Sequence, residues 1–241
     1  MAISRSNDGF SALPAGDPLA DLDIGNPRKW ATFMEDFLAY DVTQLVGGNP
    51  YTLTVENACV DTIVGPTGVL ALTLGGTDND SGMLRLTSVG VQTNAKRLYF
   101  EARLNLTLAS GGTVAANEIF VGLSGAQTTT NFIAAGGTSL AADNCMGFIK
   151  YDAGATAFSV NRKVDVESTD ATVWTPTDGT WVTLSFYFDG SSTYYYVDKA
   201  LKSTLVAAVP TVVMAPTLYV KAGEAKANVL NVDYVLLALE R

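Results

Sequence analysis

The stretch Arg97–Leu108, RLYFEARLNLTL, decides the fold. Leu98, Phe100, Ala102, Leu104, Leu106 and Leu108 fall on one parity, and Tyr99, Glu101, Arg103, Asn105 and Thr107 on the other. Successive side chains of an extended strand point to opposite faces, so this segment has one apolar and one polar face. A helix, with its period near 3.6, would scatter the leucines around its circumference. At roughly 3.3 Å per residue the strand is about 40 Å long, well beyond the usual length of about five or six residues. Such a strand needs long neighbours, which predicts a central place in a large antiparallel sheet. On its polar face Glu101 and Arg103 stand two residues apart, which suits a surface ion pair better than a catalytic pair of carboxylates.

Working outward, the same alternation recurs. In Trp181–Phe188 one face carries Val182, Leu184, Phe186 and Phe188, and the other Trp181, Thr183, Ser185 and Tyr187. Val229–Leu239 alternates at first, then reads Val235-Leu236-Leu237-Ala238-Leu239, apolar on both faces. That pattern means a central position between layers or an intersubunit contact. Shorter strands are expected at Tyr51–Glu56, Cys59–Val64, Val69–Leu74, Met83–Ser88, Glu118–Ser124, Cys145–Tyr151, Thr156–Asn161, Thr193–Asp198, Leu201–Val206 and Pro216–Val220. Gly, Pro, Asn and Asp separate them. Lys29–Tyr40, KWATFMEDFLAY, suits a strand or a short helical turn, and the strand is favoured. Gly125–Asn144 shows no clear element beyond an edge at Phe132–Ala135, and Asp165–Asp178 reads as a polar excursion. About a dozen strands with almost no amphipathic helix predict an all-β fold, an antiparallel β-sandwich of jelly-roll type.

Residues 1–28 differ from the rest. Three glycines and three prolines interrupt any period, yet Phe10, Leu13, Leu19, Leu22 and Ile24 are spaced singly along the segment. A solvated tail does not need them, so an extended N-terminal arm lying on another surface is expected, followed by one sandwich domain over 29–241. These five residues, with Val235, Leu237 and Leu239 of the last strand, are the candidate partner contacts.

Composition narrows the function. The charged share is 16 % and the net charge −9. So few charges suit a surface partly covered by sister subunits, or equally a Thr/Ser-rich β surface. An acidic chain without a Lys/Arg cluster is a poor match for a phosphate backbone, so no nucleic-acid partner is expected. No signal peptide is read at the N-terminus, and no apolar run approaches the roughly 18 residues that span a bilayer, so a soluble protein made in a cytoplasm and without a membrane partner is expected. Cys59 and Cys145 match no metal motif, and free buried thiols are favoured over a disulfide.

The chain has no histidine, which removes imidazole triads and the usual zinc sites. No phosphate loop or dinucleotide fingerprint is present. Glycoside hydrolysis needs two carboxylates across a cleft. Glucanases of this architecture carry Glu-x-Asp-x-Glu or a one-residue-longer variant; the nearest approach here, Asp165-Val166-Glu167, lacks the third acid. No catalytic residue, cofactor or metal is therefore expected. Asp78-Asn79-Asp80 reads as a turn before a calcium site. Tyr194-Tyr195-Tyr196 with Trp181 offers a sugar-stacking platform, although alternation sends Tyr195 to the opposite face, and packing is favoured.

Lys96–Leu108 (KRLYFEARLNLTL), Glu118–Ser124 (EIFVGLS), Met146–Lys150 (MGFIK), Asp178–Gly190 (DGTWVTLSFYFDG), Tyr194–Asp198 (YYYVD) and Asn231–Arg241 (NVDYVLLALER) resemble, in this order, one family. They are similar to the concanavalin-A-like (laminin-G-like) jelly rolls of tailed-bacteriophage virion proteins, over about residues 30–241. The resemblance implies a non-enzymatic capsid decoration or cement protein, a homotrimer on the outer capsid surface whose partner is the major capsid protein. It supplies no functional residues. The alternative is a carbohydrate-binding, lectin-like module of a fibre or other virion appendage, with a glycan as the less favoured partner.

Overall fold

In the computed structural model, Leu98–Thr107 is a ten-residue strand lying against the twelve-residue strand Val229–Glu240. The structure describes residues 5–6, 9–10, 24, 26–38, 51–64, 68–126, 131–134, 137–142 and 144–241, and these contain strands, turns and loops but no helix. In chain order the strands are β1 (Arg5–Ser6), β2 (Gly9–Phe10), β3 (Trp30–Glu35), β4 (Thr52–Glu56), β5 (Cys59–Val64), β6 (Val69–Leu74), β7 (Ser81–Arg85), β8 (Leu98–Thr107) and β9 (Asn117–Ser124). They continue as β10 (Asn144–Lys150), β11 (Ala157–Lys163), β12 (Val166–Trp174), β13 (Val182–Phe188), β14 (Thr193–Val197), β15 (Ala200–Leu205), β16 (Ala215–Ala222) and β17 (Val229–Glu240).

Two antiparallel sheets form a sandwich. One runs β12-β11-β10-β9-β16-β7-β4; the other runs β15-β14-β13-β8-β17-β6-β5 and adds β3 against β17. Along one edge β17 pairs with β8 from Val229 to Leu239. Its other edge is divided, with β6 against Val229–Val232 and β3 against Val235–Glu240. A bulge at Asp233 interrupts the ladder, since Val232 faces Leu104 and Tyr234 faces Arg103. The expected long neighbours of β8 are therefore its actual neighbours, β13 and β17.

The core lies between the sheets. Leu98, Phe100, Ala102, Leu104 and Leu106 of β8 meet Ile119, Val121 and Leu123 of β9 and Met146 and Phe148 of β10 within one buried cluster. Phe100 stacks on Phe186 at 5.1 Å, and Phe148 meets Tyr195 edge to face at 5.3 Å. The β11 side carries polar ties between the layers. The Tyr195 hydroxyl sits 2.7 Å from both the Val160 carbonyl and Asn161 Oδ1, Asn161 Nδ2 donates to Thr193 Oγ1, and Ser159 pairs with Ser203. Cys59 and Cys145 are buried free thiols.

Several expectations need correction. Asp165–Asp178 contains the edge strand β12, whose exposed VESTDAT face gives no apolar alternation. The strand expected at Met83–Ser88 runs instead from Ser81 to Arg85, and its Gly82 leaves room for Cys59 Sγ, which lies 2.3 Å from where a Cβ would be. Of the edge expected at Phe132–Ala135, the described residues 132–134 carry the bridge Ile133↔Leu140, and Ala135 lies outside the described residues. Within Lys29–Tyr40 the strand β3 covers Trp30–Glu35, and Ala39 and Tyr40 lie outside the described residues. Glu101 and Arg103 do not pair with each other. The bulge brings Asp233 beside Arg103 instead, at 2.6 Å, while Glu101 accepts from two phenols.

The inter-sheet tie through Tyr195 yields a test. Tyr195→Phe keeps the ring and removes the single hydroxyl proton that two buried acceptors share, a loss of about 1–3 kcal/mol. A chain of this size should then melt lower by roughly 2–4 °C per kcal/mol. Calorimetry of the two proteins checks it, and an unchanged Tm would show that the hydroxyl is not a tie.

Candidate functional site

Each sheet has one face turned away from the core, and the two faces differ in kind. On the seven-stranded sheet the outward residues include Glu118 and Phe120 of β9, Ile149 of β10, and Tyr219 and Lys221 of β16. This face is covered by the chain itself. Phe132 stacks on Phe120 with ring centroids 4.0 Å apart, and Ile133, Leu140 and Ala142 complete a second apolar cluster over Tyr219 and Ile149. Two facing glycines make the close fit feasible: a Cβ on Gly147 would meet the Phe120 ring at 3.1 Å, and one on Gly122 would meet the Met146 carbonyl at 2.2 Å. At the far end of the same face Glu118 is 2 % exposed and lies 3.4 Å from the Lys221 ammonium. Burial pushes the Glu118 carboxyl above its ordinary value, and Lys221 draws it back down. A buried, matched carboxylate under an apolar cover faces no open cleft.

The eight-stranded sheet is different. Its outward side collects aromatic and charged groups from β3, β8, β13, β14 and β17. Strand parity brings Trp181, Thr183, Ser185 and Tyr187 to this face, opposite the core residues Val182, Leu184 and Phe186. Tyr194 and Tyr196 join them, whereas Tyr195 points into the core, as alternation predicted. Tyr187 and Tyr194 stack at 6.2 Å, and the Tyr194 hydroxyl donates to Asp189 at 3.1 Å. All three tyrosines are half-buried, so ring area remains open to solvent. Next to them Arg103 lies over the Trp181 ring at 4.8 Å and pairs with Asp233. Glu101 is held by the hydroxyls of Tyr99 and Tyr234. Arg97 lies over Trp30 at 5.5 Å and pairs with Glu240 at 2.5 Å.

The candidate contact residues are scattered over this framework. Val235 and Leu237 are buried in the chain's own core, because their parity on β17 faces the other sheet; they present nothing to a partner. The opposite parity, Leu236 and Ala238, packs with Trp30, Tyr99 and Ile24. The two-sided apolar run thus reflects cover from β3 and the segment before it. Leu239 lines a pocket of about 260 Å³ at one end of the sandwich, with Phe33, Val89, Val91 and Leu237 among its walls. Ile24 docks on the outward face, and its carbonyl accepts from Thr32 Oγ1 at 3.0 Å. Phe10 lies in the short strand β2; Leu13, Leu19 and Leu22 lie outside the described residues. Among the described residues no group of three or more acidic, cysteine or histidine side chains is placed to hold a metal. Thr77 and Asp80 close the 77–80 turn on each other, with the Asp80 amide donating to the Thr77 carbonyl and the Thr77 amide to Asp80 Oδ2.

No protein-family model and no curated protein sequence matches the chain. Solved structures do. An endo-1,3-beta-glucanase from Streptomyces sioyaensis superposes with a TM-score of 0.61 at 13 % identity, covering 95 % of this chain and 98 % of its own. The Emp47p carbohydrate recognition domain gives 0.58 at 12 % identity over 87 % and 96 %. Lectin II from Ulex europaeus gives 0.56 at 11 % identity over 88 % and 99 %. At these identities the likeness is one of fold: a concanavalin-A-like β-sandwich. Nothing among these structures points to a phage virion or a capsid.

The buried phenols and thiols of the core and the outward faces set a pH limit. Burial raises the phenols of Tyr195, Tyr219 and Tyr234 and the thiol of Cys145, and lifts Cys59 to about 12. The unfolded chain releases these protons first, from about pH 8.5 for thiols and about pH 10 for phenols. Stability is therefore complete below that range and is lost as pH rises through it. Urea unfolding between pH 8 and 11 should show a falling midpoint, and Tyr219→Phe should make the fall shallower. A midpoint that does not fall would contradict the burial of these groups.

Proposed function

We propose that the protein is a non-catalytic recognition module that binds carbohydrate on the outward face of its eight-stranded sheet. The strip of Tyr187, Tyr194 and Tyr196, flanked by Trp181, carries this reading. Tyrosine combines a broad apolar ring with a polar tip, so it packs against the C–H face of a sugar while keeping a hydrogen bond at its edge. Such sites pair apolar area with a few fixed polar groups; here Asp189 and Thr183, both half-buried, lie on or beside the strip. The solved structures of like fold include proteins described as lectins and as a carbohydrate recognition domain, which supports the same reading.

Catalysis has less support. A glycosidase needs one carboxyl free to give a proton and another free to attack or to activate water. Glu101 accepts from two phenols and Glu118 is matched by Lys221 under an apolar cover. A glycan array probed with the full chain, with and without calcium, tests the proposal. Binding should appear and should fall at least ~10-fold, about 1.4 kcal/mol, in Tyr194→Ala/Tyr196→Ala, with far-UV circular dichroism unchanged. An array without hits, or a double variant that binds as well as the parent, would remove the reading.

One observation favours a second reading, an assembly protein such as the capsid cement implied by sequence resemblance. Strand β3 pairs only with β17 among the described residues, and Met34 on it is 60 % exposed. Open edges invite pairing with another chain. Analytical ultracentrifugation decides: a trimer that Met34→Lys dissociates fits assembly, and a monomer at all concentrations does not.

A further inference from the structure

Among the largest fully buried side chains of the described residues is a lysine. Lys150 ends β10 on the core-facing parity, in line with Met146 and Phe148, where another hydrophobe would be expected. Among the described residues its ammonium is not placed in an ion pair. It donates to three backbone carbonyls: Ala115 at 2.9 Å, Asn117, and Tyr151 at 3.1 Å. Asp152 and Glu118 bear on the same charge from further away. A buried ammonium normally loses its proton or finds hydrogen bonds for all of its donors. Here three donors meet three acceptors.

The acceptors come from different parts of the chain, and the 115–117 segment is tied to further segments in turn. Ala115 and Asn117 lie at the entry to β9, whereas Tyr151 follows β10. The Ala116 carbonyl accepts from the Gly223 amide at 2.6 Å, and Asn117 Nδ2 donates to the Thr113 carbonyl at 2.7 Å. Asn228 joins the same end, donating to Asn117 Oδ1 at 3.0 Å and accepting from the Ala109 amide at 2.9 Å. Converging carbonyl oxygens with carboxylates nearby are the donor set that hard cations take.

We propose that this end of the sandwich is built around a cation site that the protein fills with its own lysine. The Lys150 ammonium gathers the 109–117 and 150–154 segments as a bound ion would, and removal of the side chain beyond Cβ leaves a cage for a small primary ammonium. The inference does not depend on what the outward face binds.

Chemical rescue tests it. Lys150→Ala removes the equivalent of n-propylammonium. Its Tm should fall by at least ~5 °C, since three carbonyls lose their donor. Added n-propylammonium chloride should restore much of that loss, while tetramethylammonium chloride at equal ionic strength, too bulky and without N–H donors, should not. The parent protein should respond alike to both salts. Equal rescue by the two salts, no rescue, or no loss of Tm would each overturn the proposal. If the alanine variant does not fold, Lys150→Met decides: it keeps the stem without the charge, so a Tm equal to the parent overturns the proposal and a clear fall supports it.

Discussion

The structure depends on the pairing of β8 with β17. These strands are side by side for ten residues or more, and both present unbroken apolar faces to the other sheet. Everything in the eight-stranded sheet is placed relative to that pair: β13, β14 and β15 extend it one way, β6 and β3 share the other edge, and β5 follows β6. Register matters because side chains alternate. A slip by one residue would send Phe100 and Leu104 to solvent and Glu101 and Arg103 to the core. The bulge at Asp233 is the single departure, and it gives Arg103 a carboxylate partner without disturbing the apolar row.

The outward faces show how one architecture treats two exposed sheets. On the seven-stranded sheet the chain supplies its own cover through Phe132, Ile133 and Leu140, so charge there must be matched within the protein, as in Glu118 with Lys221. On the eight-stranded sheet the N-terminal approach covers only one end, through Ile24 and Trp30. The remainder keeps tyrosines half open and ties its acids and bases into pairs. Paired charges at partly exposed positions add little stability, so the arrangement is better understood as fixing the orientation of the rings beside them.

Much of the fold was legible because burial on one face writes itself as alternation. β5 and β6 were read residue for residue, and β8, β13 and β17 to within one residue at either end. β12 was not, because it is an edge strand exposed along most of its length, and no apolar parity marks it. The candidate site was legible in part: alternation separated Tyr195 from Tyr194 and Tyr196. Its stacking partner Tyr187 lies on another strand, and only the β13–β14 register brings it there. The Glu101–Arg103 pairing was misread because a bulge on a strand 130 residues away supplies the nearer partner. Lys150 gave no signal at all. In sequence it is one lysine after an apolar run, and its acceptors are set by loops 33 and 35 residues earlier and by the turn that follows.

The division of one edge of β17 between β6 and β3 bears on how the chain reaches its native state. Trp30 lies beside Glu240, and the Arg241 amide donates to the Lys29 carbonyl. The central ladder is thus assembled from strands far apart in sequence, and its middle strand is the last of the chain. Loop closure over such separations must precede the contacts that reward it, which places the fold among slow, high-contact-order topologies. Until β17 docks, β8 and β6 have unpaired apolar edges. The interval before that docking is when the protein is most exposed to association with its own kind.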